Sequence, residues 1–218
     1  MTKKIYFSSY IDTEKIITEP AIIFNSSYRY SLEIPFKNRK EGPTAVVIMK
    51  NPSKAGLIDD DSQEILSDDT IYKVCDYLYK SKLKFKKVIV LNLFPIYGST
   101  FKNIVFNNPN QLTGESLNSA YNNKVYESTI NSLESKDDRI ILAWGGYPDL
   151  KIKKKALPAE VKQSVILLYK HRIKDVLEII GNNQTYKVGY ELTDGKFPKH
   201  GKMWYDFQPL IPFFHPKI

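Results

Sequence analysis

Four short stretches of this sequence gather residue types that do chemistry. KNPSKAG carries Lys50, Asn51, Pro52 and Ser53. NLFPIYG carries Asn92, Phe94 and Tyr97. WGGYPD opens on Trp144 and Gly145, and TDGKFPKHGK holds His200 between Lys199 and Lys202. The Asn51 amide could orient a water or read the edge of a nucleobase. It could equally close its own loop as an Asx-turn, with Pro52 fixing the backbone beside it. Asn92 interrupts an apolar run, so its amide must find partners; a backbone brace and a ligand contact both satisfy that need. Phe94 or Tyr97 could stack on a base, or fill the core as large aromatic rings usually do. The Gly145–Gly146 pair marks either backbone that must approach something closely or a tight turn. A histidine between lysines is disfavoured as a cation. His200 could therefore donate, as a neutral imidazole, to an oxyanion forming on a leaving group; the alternative is an exposed loop histidine.

Each stretch follows a segment that reads as a strand. TAVVIM (44–49), KVIVLNLF (87–94) and RIILAW (139–144) are near-continuous apolar runs, as expected of strands covered on both faces, and TYKVGYEL (185–192) follows them. Helical spacing separates them. Asp68 or Asp69 can cap a helix whose Ile71, Val74, Cys75 and Leu78 share a face. A second helix is expected over SAYNNKVYESTINSLES. A third starts near Pro158 and stops at the GNN of 181–183. AIIF (21–24) and YRYSLEI (28–34) around NSS suggest an N-terminal β-hairpin. The alternation predicts a three-layer α/β/α sandwich with a central, mostly parallel four-stranded sheet in the order 2-1-3-4. Such sheets bind ligands beyond the carboxyl ends of their strands, where all four stretches would meet.

The 218 residues, 42% hydrophobic, suit one domain over 1–218: a β-leaning extension (1–40), an α/β core (44–192) and a tail (193–218) wrapping the core without regular structure. The formal net charge of +8 favours a polyanion such as DNA or a nucleotide, or else reflects a lysine-decorated surface. KIKKK (151–155) could hold phosphate or be a solvated face. The carboxylates of DDDSQEILSDD (59–69) could bind a divalent ion at Asp59–Asp61 or Asp68–Asp69, although capping and solvation explain most of them. One cysteine and three scattered histidines offer no metal-ligand spacing, and no cofactor is implied. P-loop, Rossmann and Gly-x-Ser-x-Gly signatures are absent, which lowers triphosphatases, dehydrogenases and serine hydrolases. No apolar run approaches the ~20 residues of a membrane helix. The first residues lack the apolar centre of a signal peptide, and the single Cys75 fits a reducing compartment. The expectation is a cytoplasmic protein with no membrane partner; its oligomeric state is left open.

Taken in order, YRYSL (28–32), VIMKNPSKA (47–55), DDTIYKVC (68–75), VIVLNLF (88–94), ILAWGG (141–146) and LTDGKFPKHG (192–201) resemble the uncharacterised DUF1643 family. One departure stands out: the family follows its last histidine with Pro and an apolar residue, where this chain has Gly201 and Lys202. More distantly, the motif order is similar to the uracil-DNA glycosylase superfamily, through Asn51 before Pro52, LAWGG after the third strand and His200 after the fourth. That resemblance implies a DNA glycosylase-like enzyme hydrolysing the N-glycosidic bond of a damaged or modified base. Asn51 would orient the attacking water and His200 would bind the departing base. Asn92 would read the base edge with Phe94 stacked on it, and Ser53 and nearby lysines would grip phosphate. The target base would be flipped into a pocket. Two other readings stay open. One is a non-catalytic nucleotide- or nucleic-acid-binding module on the same fold; the other is a hydrolase or transferase of a small phosphorylated metabolite.

Overall fold

A computed structural model describes residues 4–21, 27–98, 116–148, 151–152, 155–156 and 158–215. These residues form strands β1 (Ile5–Tyr6), β2 (Ile17–Glu19), β3 (Ser31–Pro35), β4 (Thr44–Met49), β5 (Leu66–Ser67), β6 (Lys87–Asn92), β7 (Arg139–Leu142), β8 (Lys151–Ile152), β9 (Lys155–Ala156), β10 (Thr185–Val188) and β11 (Leu210–Pro212). The helices are α1 (Asp69–Lys80), α2 (Ser116–Asn131) and α3 (Ala159–Ile180), with short 3₁₀ turns at Thr13–Lys15 and Gly201–Met203.

The main sheet has seven strands in the order β11-β10-β7-β4-β6-β3-β2. This corrects the expectation of a central, mostly parallel four-stranded sheet. The pairings β6–β4, β4–β7 and β7–β10 are parallel, but β10–β11, β3–β6 and β2–β3 are antiparallel. With the antiparallel pairs β1–β5 and β8–β9, five of the eight pairings are antiparallel. The reason lies in the segments read as extension and tail. Residues 17–35 supply two strands to one edge of the sheet, and 210–212 supply one to the other. Strands at or next to an edge are short and half-covered, so they lack the continuous apolar run that marks a central strand: β3, next to the edge strand β2, alternates buried and partly exposed residues, and the edge strand β11 is three residues ending in Pro212. The expected hairpin also changes. Ser31–Pro35 pairs with 17–19, and 22–24 of AIIF lie outside the described residues.

Burial on both faces accounts for the apolar runs. All six residues of β4 are buried. Val46 and Ile48 join Ile89, Leu91, Ile140 and Leu142 under α2 and α3, where Tyr126, Tyr169, Ile173 and Val176 pack. Ala45, Val47 and Met49 join Val88, Val90 and Ile141 under α1, with Val74, Cys75 and Leu78. Strand alternation sorts each side chain to its face. Asp68 caps α1: its Oδ1 accepts from the Thr70 and Ile71 N–H groups at 2.8 Å each. The third helix begins after Pro158 and ends at Gly181, whose φ of 59° needs no side chain. No helix among the described residues is long and apolar enough to cross a membrane.

Candidate functional site

The loop leaving β4 stays tied to its neighbours past the end of the strand. Leu93 N donates to Met49 O at 2.8 Å, Phe94 N to Lys50 O at 3.0 Å, and Ala143 N to Ile48 O at 2.8 Å. Lys50 falls on the α3 face: its Nζ donates to Gly146 O at 2.9 Å and stands 5.4 Å from the centre of the Tyr169 ring. Burial lowers its pKa to about 8, opposed by Asp194. Asn51 directs its Nδ2 to Gly98 O at 2.8 Å and Pro52 O at 3.1 Å. Its donors are thus engaged by backbone, and Oδ1 is left as the acceptor. Pro52 is buried and its carbonyl also receives Gly98 N–H at 3.0 Å. Ser53 Oγ donates to Asp68 Oδ2, which joins this loop to the start of α1.

Asn92 ends β6 opposite Met49. It is 1% exposed, and neither Nδ2 nor Oδ1 of its amide has a partner among the described residues. By alternation its side chain shares the α1 face with Val88 and Val90, across the sheet from Lys50. Phe94 does not stand open: it is 6% exposed, belongs to the α3-side core, and lies 6.2 Å from the Tyr169 ring at 18°. Tyr97 is half-buried, with the Arg29 guanidinium 5.7 Å from its ring centre. Trp144 is fully buried, its Nε1 has no partner among the described residues, and its carbonyl accepts from Tyr169 Oη at 3.4 Å.

The loop after β10 comes back over these strand ends. Gly145, at φ 71°, lies against it so closely that an added Cβ would be 3.1 Å from His200 Cβ. An added Cβ on Gly146 would meet Thr193 Cγ2 at 2.9 Å. Both glycines are therefore places of close backbone approach. His200 Nδ1 accepts the Lys202 backbone N–H at 3.2 Å, which leaves Nε2 to carry the proton in the neutral ring. Burial, then the charge of Lys50, lower its pKa to about 4 against a smaller opposite pull from Asp68, with Lys202 adding a still smaller lowering. His200 is thus a neutral donor near pH 7. Lys199 and Lys202 are turned to carboxylates, Lys199 to Glu191 at 2.5 Å and Lys202 to Asp69 at 3.2 Å.

A common brace holds all four loops. Arg29 donates to Ala55 O in the loop after β4, and Arg172 Nε to Leu93 O at 2.6 Å after β6. Lys50 donates to Gly146 O after β7, and Lys187 to Gly189 O and to Tyr190 O after β10. Burial lowers the pKa of each of these four cations, and none forms an ion pair with a described carboxylate.

A family model for a protein of unknown function (DUF1643) matches residues 29–200. The chain belongs to the DUF1643 family. No curated protein matches the chain, and no solved structure does. The DUF1643 match begins at Arg29 and ends at His200, so the braces and the four loops, apart from Gly201 and Lys202, lie within it.

Sequence reasoning gathered the four loops but missed Arg29, Arg172, Lys187 and Asp194. Arg29 stood inside the quoted YRYSL, yet an arginine gives no sign of burial in sequence. Arg172 sits within an apolar helical face, which is such a sign. The acidic stretch supplies no metal cluster: no three His, Cys, Asp or Glu side chains converge among the described residues. Asp59 is held by Lys4 and Ser62, and Asp68 by its cap and Ser53. The phosphate role considered for KIKKK rests on side chains outside the described residues. Cys75 is buried with its thiol pKa pushed up, so it is no ready nucleophile.

Proposed function

We propose that this site hydrolyses the N-glycosidic bond of a nucleobase in nucleic acid or a nucleotide. The observation that carries the reading is the Asn92 amide, buried at a strand end with donor and acceptor both unpartnered among the described residues. A buried amide without partners is costly, and the edge of a nucleobase offers the matching donor–acceptor pair. The remaining chemistry is consistent with that ligand. Asn51 Oδ1 accepts a hydrogen from the attacking water while its Nδ2 is fixed by Gly98 O. In a dissociative transition state that water needs positioning more than a strong base. Neutral His200 donates from Nε2 to the oxyanion that forms on the departing base. The four carbonyl-bound cations, offset only in part by Asp68, Asp175 and Asp194, suit a phosphate-bearing substrate. Phe94 and Trp144 support the strand ends from the core, and Tyr97 is the ring left to face a base.

The test is incubation with single- and double-stranded oligonucleotides carrying uracil, hypoxanthine or hydroxymethylated bases, followed by alkaline cleavage of abasic sites. Cleavage is expected with wild-type protein, with His200→Ala lower by about 10²–10³-fold, the usual effect of removing one oxyanion donor. No cleavage of any substrate at micromolar enzyme overturns the reading. Base or nucleotide binding without turnover would establish a non-catalytic module instead.

A further inference from the structure

The carboxyl-end site leaves one surface unexplained. At the other end of α1, about 18 Å away at 1.5 Å per residue, a groove of about 650 Å³ is lined by Tyr77, Lys80, Lys82, Arg139, Tyr186 and Phe207 among others. Residues 80–87 carry five lysines and no acid. Lys82 is exposed and forms no ion pair with a described carboxylate. The one acidic residue lining the groove, Asp206, pairs at 2.7 Å with Lys80, which also pairs with Asp76 at 2.7 Å. The Arg139 guanidinium lies 4.8 Å from the Tyr186 ring centre; its Nη1 donates to Lys136 O at 2.8 Å and Asp138 O at 2.9 Å, and its Nη2 stands 3.6 Å from Asp137. At the rim Phe207 is 84% exposed and stacks on Tyr205, with ring centres 5.7 Å apart and planes 10° from parallel.

We propose that this groove binds single-stranded nucleic acid, with Phe207 as a stacking platform for a base and Lys82 and Arg139 on the backbone phosphates. Charge chooses the partner: the lining is cationic, so a polyanion complements it. The ring chooses the strand: an aromatic face held flat by a second ring fits an unstacked base, whereas a duplex keeps its base faces covered. The segment carrying Phe207 also carries His200. Between them Lys202 pairs with Asp69, the Trp204 ring packs at 5.3 Å from Tyr77, and Asp206 pairs with Lys80, so the segment runs along α1 from site to groove. The inference stands without the glycosidic reading, because the groove shares no residue with that site.

Fluorescence anisotropy with labelled 15-mers of deoxythymidylate and of uridylate tests it and separates DNA from RNA. Binding in the range of about 1–100 μM is expected, with a log K against log salt slope of about −0.7 per phosphate contacted. Phe207→Ala should weaken binding about tenfold. Lys82→Ala should flatten the slope by about 0.7. Phe207 is mostly exposed, so an unchanged melting temperature shows that its variant is folded. The proposal is overturned by absence of binding at 50 mM salt and about 100 μM protein, or by binding that these variants leave unchanged. It is also overturned if Asn92→Leu alone abolishes binding, which would place the strand in the strand-end site, or if polyglutamate competes as well as the oligonucleotides.

Discussion

Acidification should destabilise this protein through His200 before its carboxylates begin to titrate. The ring is neutral in the fold, with a pKa near 4 against 6.5 for the free side chain, because burial and the Lys50 charge both oppose its protonation. Between these values the unfolded chain binds more protons than the folded one, so stability rises with pH through the window and falls as pH falls. The full difference corresponds to about 3 kcal/mol at 1.36 kcal/mol per unit. About 2 kcal/mol of it is lost between pH 7 and pH 5, where most carboxylates are still ionised. For a chain of this size that is a fall in melting temperature of about 4–8 °C. Thermal melts at pH 7, 6 and 5 on wild type and His200→Gln read the effect, since the glutamine variant lacks the titrating group. Equal slopes in the two proteins, or a His200 ring proton titrating near pH 6.5 by NMR, would refute the reasoning. The same neutral donor predicts activity on a cleavable oligonucleotide that does not decline around pH 6.5.

Three further outcomes follow from the same geometry. Asn92→Leu should raise stability by about 1–3 kcal/mol, by removing a buried amide without partners, and abolish base-dependent activity; urea unfolding and the alkaline-cleavage assay read the two effects. Gly145→Ala places a Cβ at φ 71° and 3.1 Å from His200 Cβ, so it should cost about 2 kcal/mol or more and shift the His200 ring resonances, checked by melting and NMR. Lys50→Met should remove a stability gain of about 2 kcal/mol that wild type shows as pH rises from 8 to 10.5, because the Lys50 ammonium is disfavoured in the fold and neutralises first there; it should also raise the His200 pKa by removing a neighbouring charge.

The parts of this architecture that were legible in sequence are those whose pattern is set locally. TAVVIM is a strand from its first residue to its last because burial on two faces demands six apolar residues in a row. The stop of α3 at Gly181 and the Asp68 cap of α1 are equally local. The edges were not legible. Ile17–Glu19 and Leu210–Pro212 are three residues each, and only their partners β3 and β10 make them strands. Within the site, sequence placed Asn51, Asn92 and His200 at strand ends, but not the faces they occupy. Phe94 illustrates the gap: its position after β6 suits a base platform, yet the ring turns into the α3 core and meets Tyr169. Tyr121 fails in the opposite direction. An aromatic ring on an amphipathic helix suits the core, but Tyr121 of α2 is 44% exposed and donates to Glu19 at 2.8 Å, while Tyr126 and Asn122 take the buried positions.

The four cation braces bear on why such a site is built this way. Carbonyl oxygens at strand ends can be satisfied by water or by neutral donors, and a buried cation is the more costly choice because desolvation opposes its charge. A carboxylate beside each cation would offset that cost, but Arg29, Lys50, Arg172 and Lys187 have no such ion pair among the described residues. Asp68, Asp194 and Asp175 act on Arg29, Lys50 and Arg172 only from beyond ion-pair distance, so part of the charge is left at the strand ends, where an anionic ligand can use it. The arrangement also couples the loops to ligand charge. Bound anion would lower the cost of every brace at once, so ligand affinity and loop order should rise together. A neutral ligand of the same shape would gain the contacts without that gain. The cations therefore argue for an anionic substrate on grounds separate from Asn92, whose unpartnered amide argues for the base that such a substrate carries.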